Sequence, residues 1–161
     1  MHGYLNLELM KSATLYTKTQ KNDVRLQRSI TLPNDIEEVP QLAAFVDEVC
    51  EAVGFDMSTT MSINLAIEEA VVNVMSYAYP EGTTGHVNIE ALADEKELKF
   101  IISDRGTAFD PTAEKEVDTT LPAEDRPIGG LGIHLVRQIM DSINYERIDE
   151  MNVLTLCKKF V

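Results

Sequence analysis

The apolar residues change period along the chain, and each change marks an element. Val24, Leu26, Ile30 and Leu32 alternate with Arg25, Gln27, Ser29 and Thr31, and Arg28 is the single break in the apolar face. Period two predicts a strand, ended by Pro33. From Asp35 to Val53, Leu42, Phe45, Val46, Val49 and Val53 fall on one helical stripe. Pro40 stands near the start of that helix, where it is tolerated, and Gly54 suits a left-handed stop. A second helix is predicted from Ser58 to Tyr77, entered through the hydroxyls of 57–60 and closed by Tyr79-Pro80-Glu81-Gly82. Its predicted core stripe is Met61, Leu65, Ala66, Val71, Val72 and Met75.

Val87, Ile89 and Ala91 alternate, Asp94-Glu95-Lys96-Glu97 supplies a turn, and Leu98 to Ile102 reads as a more fully buried strand. Residues 105–128 carry no sustained period and are rich in Pro, Thr, Asp and Glu. A loop that long inside a compact domain is usually functional. Gly129-Gly130-Leu131-Gly132 opens a third helix whose apolar face holds Leu131, Leu135, Val136, Ile139 and Met140. A last hairpin is expected around Asp149-Glu150-Met151-Asn152. Residues 1–23 alternate only weakly at Leu5, Leu7 and Leu9 and then turn polar, so they read as a tail or an edge-strand extension of a domain spanning 24–161. The order β-α-α-β-β-loop-α-β-β predicts an α+β fold. In it, three helices cover one face of a mixed, mainly antiparallel sheet in a two-layer sandwich.

Composition narrows the function. With 44% hydrophobic residues in 161, a real core is available. Fourteen basic against 27 acidic residues leave a net charge of -13, which excludes bulk-charge binding to nucleic acid or an anionic membrane and favours a partner with a basic surface. Local anion binding through backbone N–H groups remains open. Cys50 and Cys157 match no metal-ligand spacing and read as small core residues in a reducing compartment. No apolar run approaches the ~20 residues that span a bilayer, and the N-terminus lacks a signal-peptide pattern, so a cytoplasmic protein is expected.

Three features carry chemistry. Glu69 and Asn73, four apart on a helix, share a face; a carboxylate and an amide oxygen so placed suit a Mg²⁺ shell or an activated hydroxyl, and equally a solvated helix face. Glu68 points about 100° away and is expected to be exposed. Asp104 ends an apolar strand and precedes Arg105-Gly106, which fits either acceptance of a ligand amine or plain turn chemistry. Gly130 and Gly132 stand at a helix N-terminus, which suits phosphate, or a tight turn for steric reasons alone.

In combination and in this order, these residues resemble a known set. Glu69-Ala70-Val71-Val72-Asn73 is similar to an N box, Asp104-Arg105-Gly106-Thr107-Ala108-Phe109-Asp110-Pro111 to a first glycine box, and Gly130-Leu131-Gly132 to a second. The chain thus resembles the gyrase, histidine-kinase and MutL ATPase superfamily (GHKL, with the Bergerat ATP-binding fold), and more closely the bacterial anti-sigma-factor serine/threonine kinases, over residues 24–160. The resemblance implies that Glu69 activates the attacking hydroxyl, Asn73 ligates Mg²⁺, Asp104 binds adenine and Gly106 lies beside the base. It implies that 107–128 form an ATP lid, that Arg126 lies near the β- and γ-phosphates and that Gly130 and Gly132 cradle phosphate. Ala108 stands where the family pattern has its second glycine against the nucleotide. The threonine common near the start of the last strand is out of place, with Val153 and Leu154 in that neighbourhood and Thr155 one position off, and the spacing from Arg126 to Gly130 is slightly expanded.

The implied function is an ATP- and Mg²⁺-dependent serine/threonine-protein kinase that acts as an anti-sigma factor. Its substrate would be a serine on a STAS-type antagonist protein, with a sigma factor as competing ligand. The resemblance also implies a homodimer through the first strand and first helix. The rival expectation, prompted by these departures, is a non-catalytic ATP-sensing module that sequesters a regulatory protein.

Overall fold

A computed structural model describes residues 24–113 and 130–161. Residues 1–23, most of the expected lid and Arg126 lie outside them. The strands are β1 (Leu26–Pro33), β2 (His86–Ala93), β3 (Glu97–Asp104), β4 (Ser142–Ile148) and β5 (Met151–Lys159). The helices are α1 (Val39–Val53), α2 (Met57–Tyr77) and α3 (Gly130–Ile139), with 3₁₀ turns at Ile36–Glu38 and Pro111–Ala113. The strands form one sheet in the order β1-β2-β3-β5-β4, and every neighbouring pair is antiparallel. The two hairpins follow from local turns. The β3–β5 pairing that joins them is long-range, with α3 and β4 lying between the two strands in sequence.

Alternation decides what each strand gives to the core. Val87, Ile89, Ala91 and Ala93 of β2 are buried, as are Leu98, Phe100 and Ile102 of β3 and Leu154 and Leu156 of β5. Asp104 and Asn152 are in phase with these apolar positions and pair with each other across β3 and β5. Because side chains alternate strictly along a strand, both polar groups are committed to the helix-covered face.

Local signals set the helix ends. Asp35 caps the first 3₁₀ turn by accepting from the N–H of Glu37, and Gly54 closes α1 at φ 88° with its N–H on the carbonyls of Cys50 and Glu51. The cap of α2 is Asp56, which accepts from the N–H of Thr59 at 2.7 Å, rather than a hydroxyl of 57–60. The α2 core stripe also differs from the expected one. Ile63, Ala66, Ile67, Ala70, Val71, Val74 and Met75 are buried, while Met61 and Leu65 are exposed at 68% and 46%. Met61 and Leu65 lie two positions either side of Ile63, about 200° around the helix from it. Phase decides burial here, and the small Ala66 and Ala70 take the inward positions.

In the last hairpin Asp149 and Glu150 have φ of 48° and 64°, so a two-residue turn of the mirror-image type joins β4 to β5. The expected four-residue turn is therefore too long, and Met151 and Asn152 already belong to the strand. Cys50 and Cys157 are free and buried, and burial pushes the Cys50 thiol up to about 11. Among the described residues no helix is long and apolar enough to cross a membrane.

Candidate functional site

The site is built at one end of the helix-covered face, where β3 and β5 meet the end of α2. Glu69 and Asn73 lie half-buried on one stripe of α2, and Glu68 is exposed. Neither Glu69 nor Asn73 makes a hydrogen bond with another described residue. Tyr77 continues the stripe and stacks on Phe109, with ring centroids 5.3 Å apart and 29° between planes. The stripe is thereby joined to the segment that leaves β3.

Asp104 is 3% exposed. Its Oδ1 accepts from the Nδ2 of Asn152 at 2.9 Å and from the N–H of Gly106 at 2.8 Å. Its Oδ2 is also buried and has no hydrogen-bond partner among the described residues. Loss of water raises the carboxyl pKa above the usual range, against the Asn152 amide, the Gly106 N–H and the charge of Arg147, which pull it down. A buried acceptor left without a donor costs about 1–3 kcal/mol, and more if charged. A ligand amine arriving at Oδ2 recovers that cost. The 6-amino group of adenine is such a donor.

Gly106 is required by contact within the chain. A Cβ there would lie 2.3 Å from the carbonyl oxygen of Ala78, just beyond the end of α2. The N–H of Thr107 donates to that same carbonyl at 2.6 Å, and the Nη1 of Arg147 donates to the carbonyl of Gly106 at 3.0 Å. The glycine thus lets the exit of β3 lie directly on the end of α2, a reason distinct from the expected approach to a flat ring. Ala108, in the same segment, is exposed. Behind it, Tyr79 donates from its hydroxyl to the carbonyl of His86 at 2.7 Å and accepts from the N–H of Arg105 at 3.3 Å.

Gly130 and Gly132 lie in the first turn of α3, whose helix packs on α2. The N–H groups of a first turn have no intrahelical acceptor and favour anions. At the other end of α3, Lys158 donates to the carbonyl of Ile139 at 2.8 Å, a cation where the helix dipole favours one. Of the expected site residues, Asp104 and Gly106 are thus in direct contact. Glu69 and Asn73 reach the same region through Tyr77 and Phe109, and the two glycines stand on the neighbouring helix.

Sequence reasoning missed Asn152, which is 4% exposed. Besides Asp104, its Nδ2 donates to the carbonyl of Thr107 at 2.8 Å. Its Oδ1 accepts from the N–H of Phe109 at 3.1 Å and from the hydroxyl of Tyr145 at 2.6 Å. The available signal was parity, since Asn152 is in step with Leu154 and Leu156; it was hidden by reading 149–152 as a turn.

Residues 32–158 match the family described as the histidine kinase-like ATPase domain. The chain is 29% identical over 136 residues to the serine-protein kinase RsbW of Halalkalibacterium halodurans, covering 82% of each chain. It is 30% identical over 95 residues to the serine/threonine-protein kinase BtrW of Bordetella bronchiseptica, covering 59% of this chain and 67% of that one. Among solved structures, the RsbU and RsbW domains of a Mycobacterium tuberculosis protein share the fold, with a TM-score of 0.59 at 18% identity over 83% of this chain and 32% of that one. The five-stranded sheet under three helices, the buried carboxylate at the end of β3 and the match over 32–158 lead to one conclusion: the chain belongs to the histidine kinase-like ATPase domain family, which uses ATP.

Proposed function

We propose that this protein is an ATP-dependent serine/threonine-protein kinase that acts as an anti-sigma regulatory factor and phosphorylates a serine on a STAS-type antagonist protein. The names of its relatives, serine-protein kinase RsbW and serine/threonine-protein kinase BtrW, support the reaction class. The observation that carries the nucleotide site is the unpaired, buried Oδ2 of Asp104. The donor set suits magnesium held mainly by phosphate and water. Among the described residues no group of three His, Cys, Asp or Glu side chains could hold a metal, and the Asn73 amide oxygen is uncommitted.

In this reading Asp104 accepts the base amine and fixes the orientation of the nucleotide. Bound Mg·ATP supplies the phosphoryl group and neutralises its charge. Asn73 offers its side-chain oxygen to the metal, Gly130 and Gly132 present backbone N–H groups to phosphate, and Arg126 and Ala108 complete the nucleotide contacts. Glu69 accepts the proton of the partner's serine as that oxygen bonds to phosphorus and ADP departs. Homodimerisation through β1 and α1 belongs to the same proposal, and the exposed Val24 and Ile36 beside them offer apolar surface.

The test is partner mass after incubation with Mg·ATP. A gain of one phosphoryl group with wild type is expected. In Glu69→Gln a rate about 10²- to 10⁴-fold lower is expected with ATP affinity little changed. Transfer at the wild-type rate in that variant overturns the role of Glu69. An unchanged partner mass with wild type supports the alternative of an ATP-sensing, sequestering module, which Ala108 and the displacement of Thr155 by one position favour.

A further inference from the structure

Asn152 meets four groups from three different places in the chain. It holds Oδ1 of Asp104 on β3, the carbonyl of Thr107 and the N–H of Phe109 on the segment after β3, and the hydroxyl of Tyr145 on β4. Both its donor hydrogens and its acceptor oxygen are used, so the amide has one orientation. Reversing it would set an amide oxygen against the Asp104 carboxylate and an NH₂ against the N–H of Phe109. From this geometry we infer that Asn152 is the positioning residue for base recognition, occupying one oxygen of Asp104 so that the other is the acceptor for an amino-purine.

This inference rests on the nucleotide reading above and adds a specificity device to it. Without the Asn152 amide, Oδ1 keeps one donor, the N–H of Gly106, and Oδ2 keeps none. The carboxylate is then free to rotate or to take up a proton. A protonated carboxyl donates to the 6-oxo group of a purine almost as well as the carboxylate accepts from a 6-amine. Discrimination between the two is therefore a property of Asp104 and Asn152 together. The same amide pins the backbone at Thr107 and Phe109, so the base site and the root of the following loop are fixed by one side chain.

Two variants test it, read against wild type by calorimetric titration with ATP and with inosine triphosphate, which carries a 6-oxo group. Wild type is expected to prefer ATP. Asn152→Ala is expected to lose about 10- to 100-fold in ATP affinity, the worth of one hydrogen bond to a charged group, with inosine triphosphate little affected. Asn152→Asp keeps the shape and replaces the donor by a carboxylate. Its ATP affinity, taken relative to wild type at each pH, is expected to be lowest at alkaline pH. It should recover on acidification, as one proton shared between the two carboxyls replaces the lost N–H. The other charged or titratable groups facing this pair are Arg147 and Tyr145 from β4, Tyr79 after α2 and Asp110 in the loop.

A purine preference unchanged in Asn152→Ala, together with a flat relative pH profile in Asn152→Asp, overturns the inference. A merely structural role lowers melting temperature without moving either readout. A wild type that does not distinguish the two nucleotides overturns the base-recognition reading itself, a result separable from the first.

Discussion

At the scale of one residue, burial of Asp104 sets a stability cost that the proposed ligand would relieve. Its folded pKa lies above the ordinary 3.8 because burial disfavours the carboxylate. Such a group favours the folded state below its ordinary pKa and loses that contribution as pH rises through the folded value. At neutral pH it is therefore a cost to the free protein. Asp104→Asn keeps an acceptor for Asn152 and Gly106 and removes the charge. The variant should melt about 2–4 °C higher than wild type at pH 7 for each kcal/mol recovered, with the gap closing toward pH 4, and should lose ATP affinity. Thermal melts across pH check this, and a variant melting lower than wild type at pH 7 contradicts it. Asp104 was legible in the sequence, since a carboxylate closing an apolar strand beside a glycine is conspicuous. Asn152 was not, because its partner lies 48 positions away and its strand begins directly after a turn built on positive φ at Asp149 and Glu150.

Among the elements, the contact that matters most is the one between the end of α2 and the exit of β3. It has no room for a side chain at Gly106, where a Cβ would meet a backbone carbonyl that cannot swing away. Gly106→Ala should cost about 1–3 kcal/mol, read as a lower urea midpoint at unchanged slope. An unchanged midpoint would mean that the two backbones separate freely. The helices and both hairpins were legible because each carries a clear period and a local stop. The facing of α2 was less so. Met61 and Leu65 are more apolar than Ala66 and Ala70, yet the helix turns its small residues inward. Only the phase of Ile63, Ile67, Val71 and Val74 distinguishes the two sides, and side-chain hydrophobicity alone misleads.

For the whole molecule, the antiparallel order β1-β2-β3-β5-β4 brings Asp104 and Asn152 side by side at the foot of two helices. That juxtaposition depends on the long-range β3–β5 pairing, so no local pattern announces it, although the spacing of the three motifs points to the same fold. The net charge of -13 leaves anion binding to local backbone N–H groups rather than bulk charge and suits the surface to a basic partner. The central claim is that Asp104 and its neighbours form an ATP site, and calorimetric titration of ATP with and without Mg²⁺ tests it most directly. Binding that strengthens with Mg²⁺ in wild type and disappears in Asp104→Ala is the predicted result. Absence of binding heat at any temperature or Mg²⁺ concentration, with displacement of a fluorescent ATP analogue also absent, would contradict it.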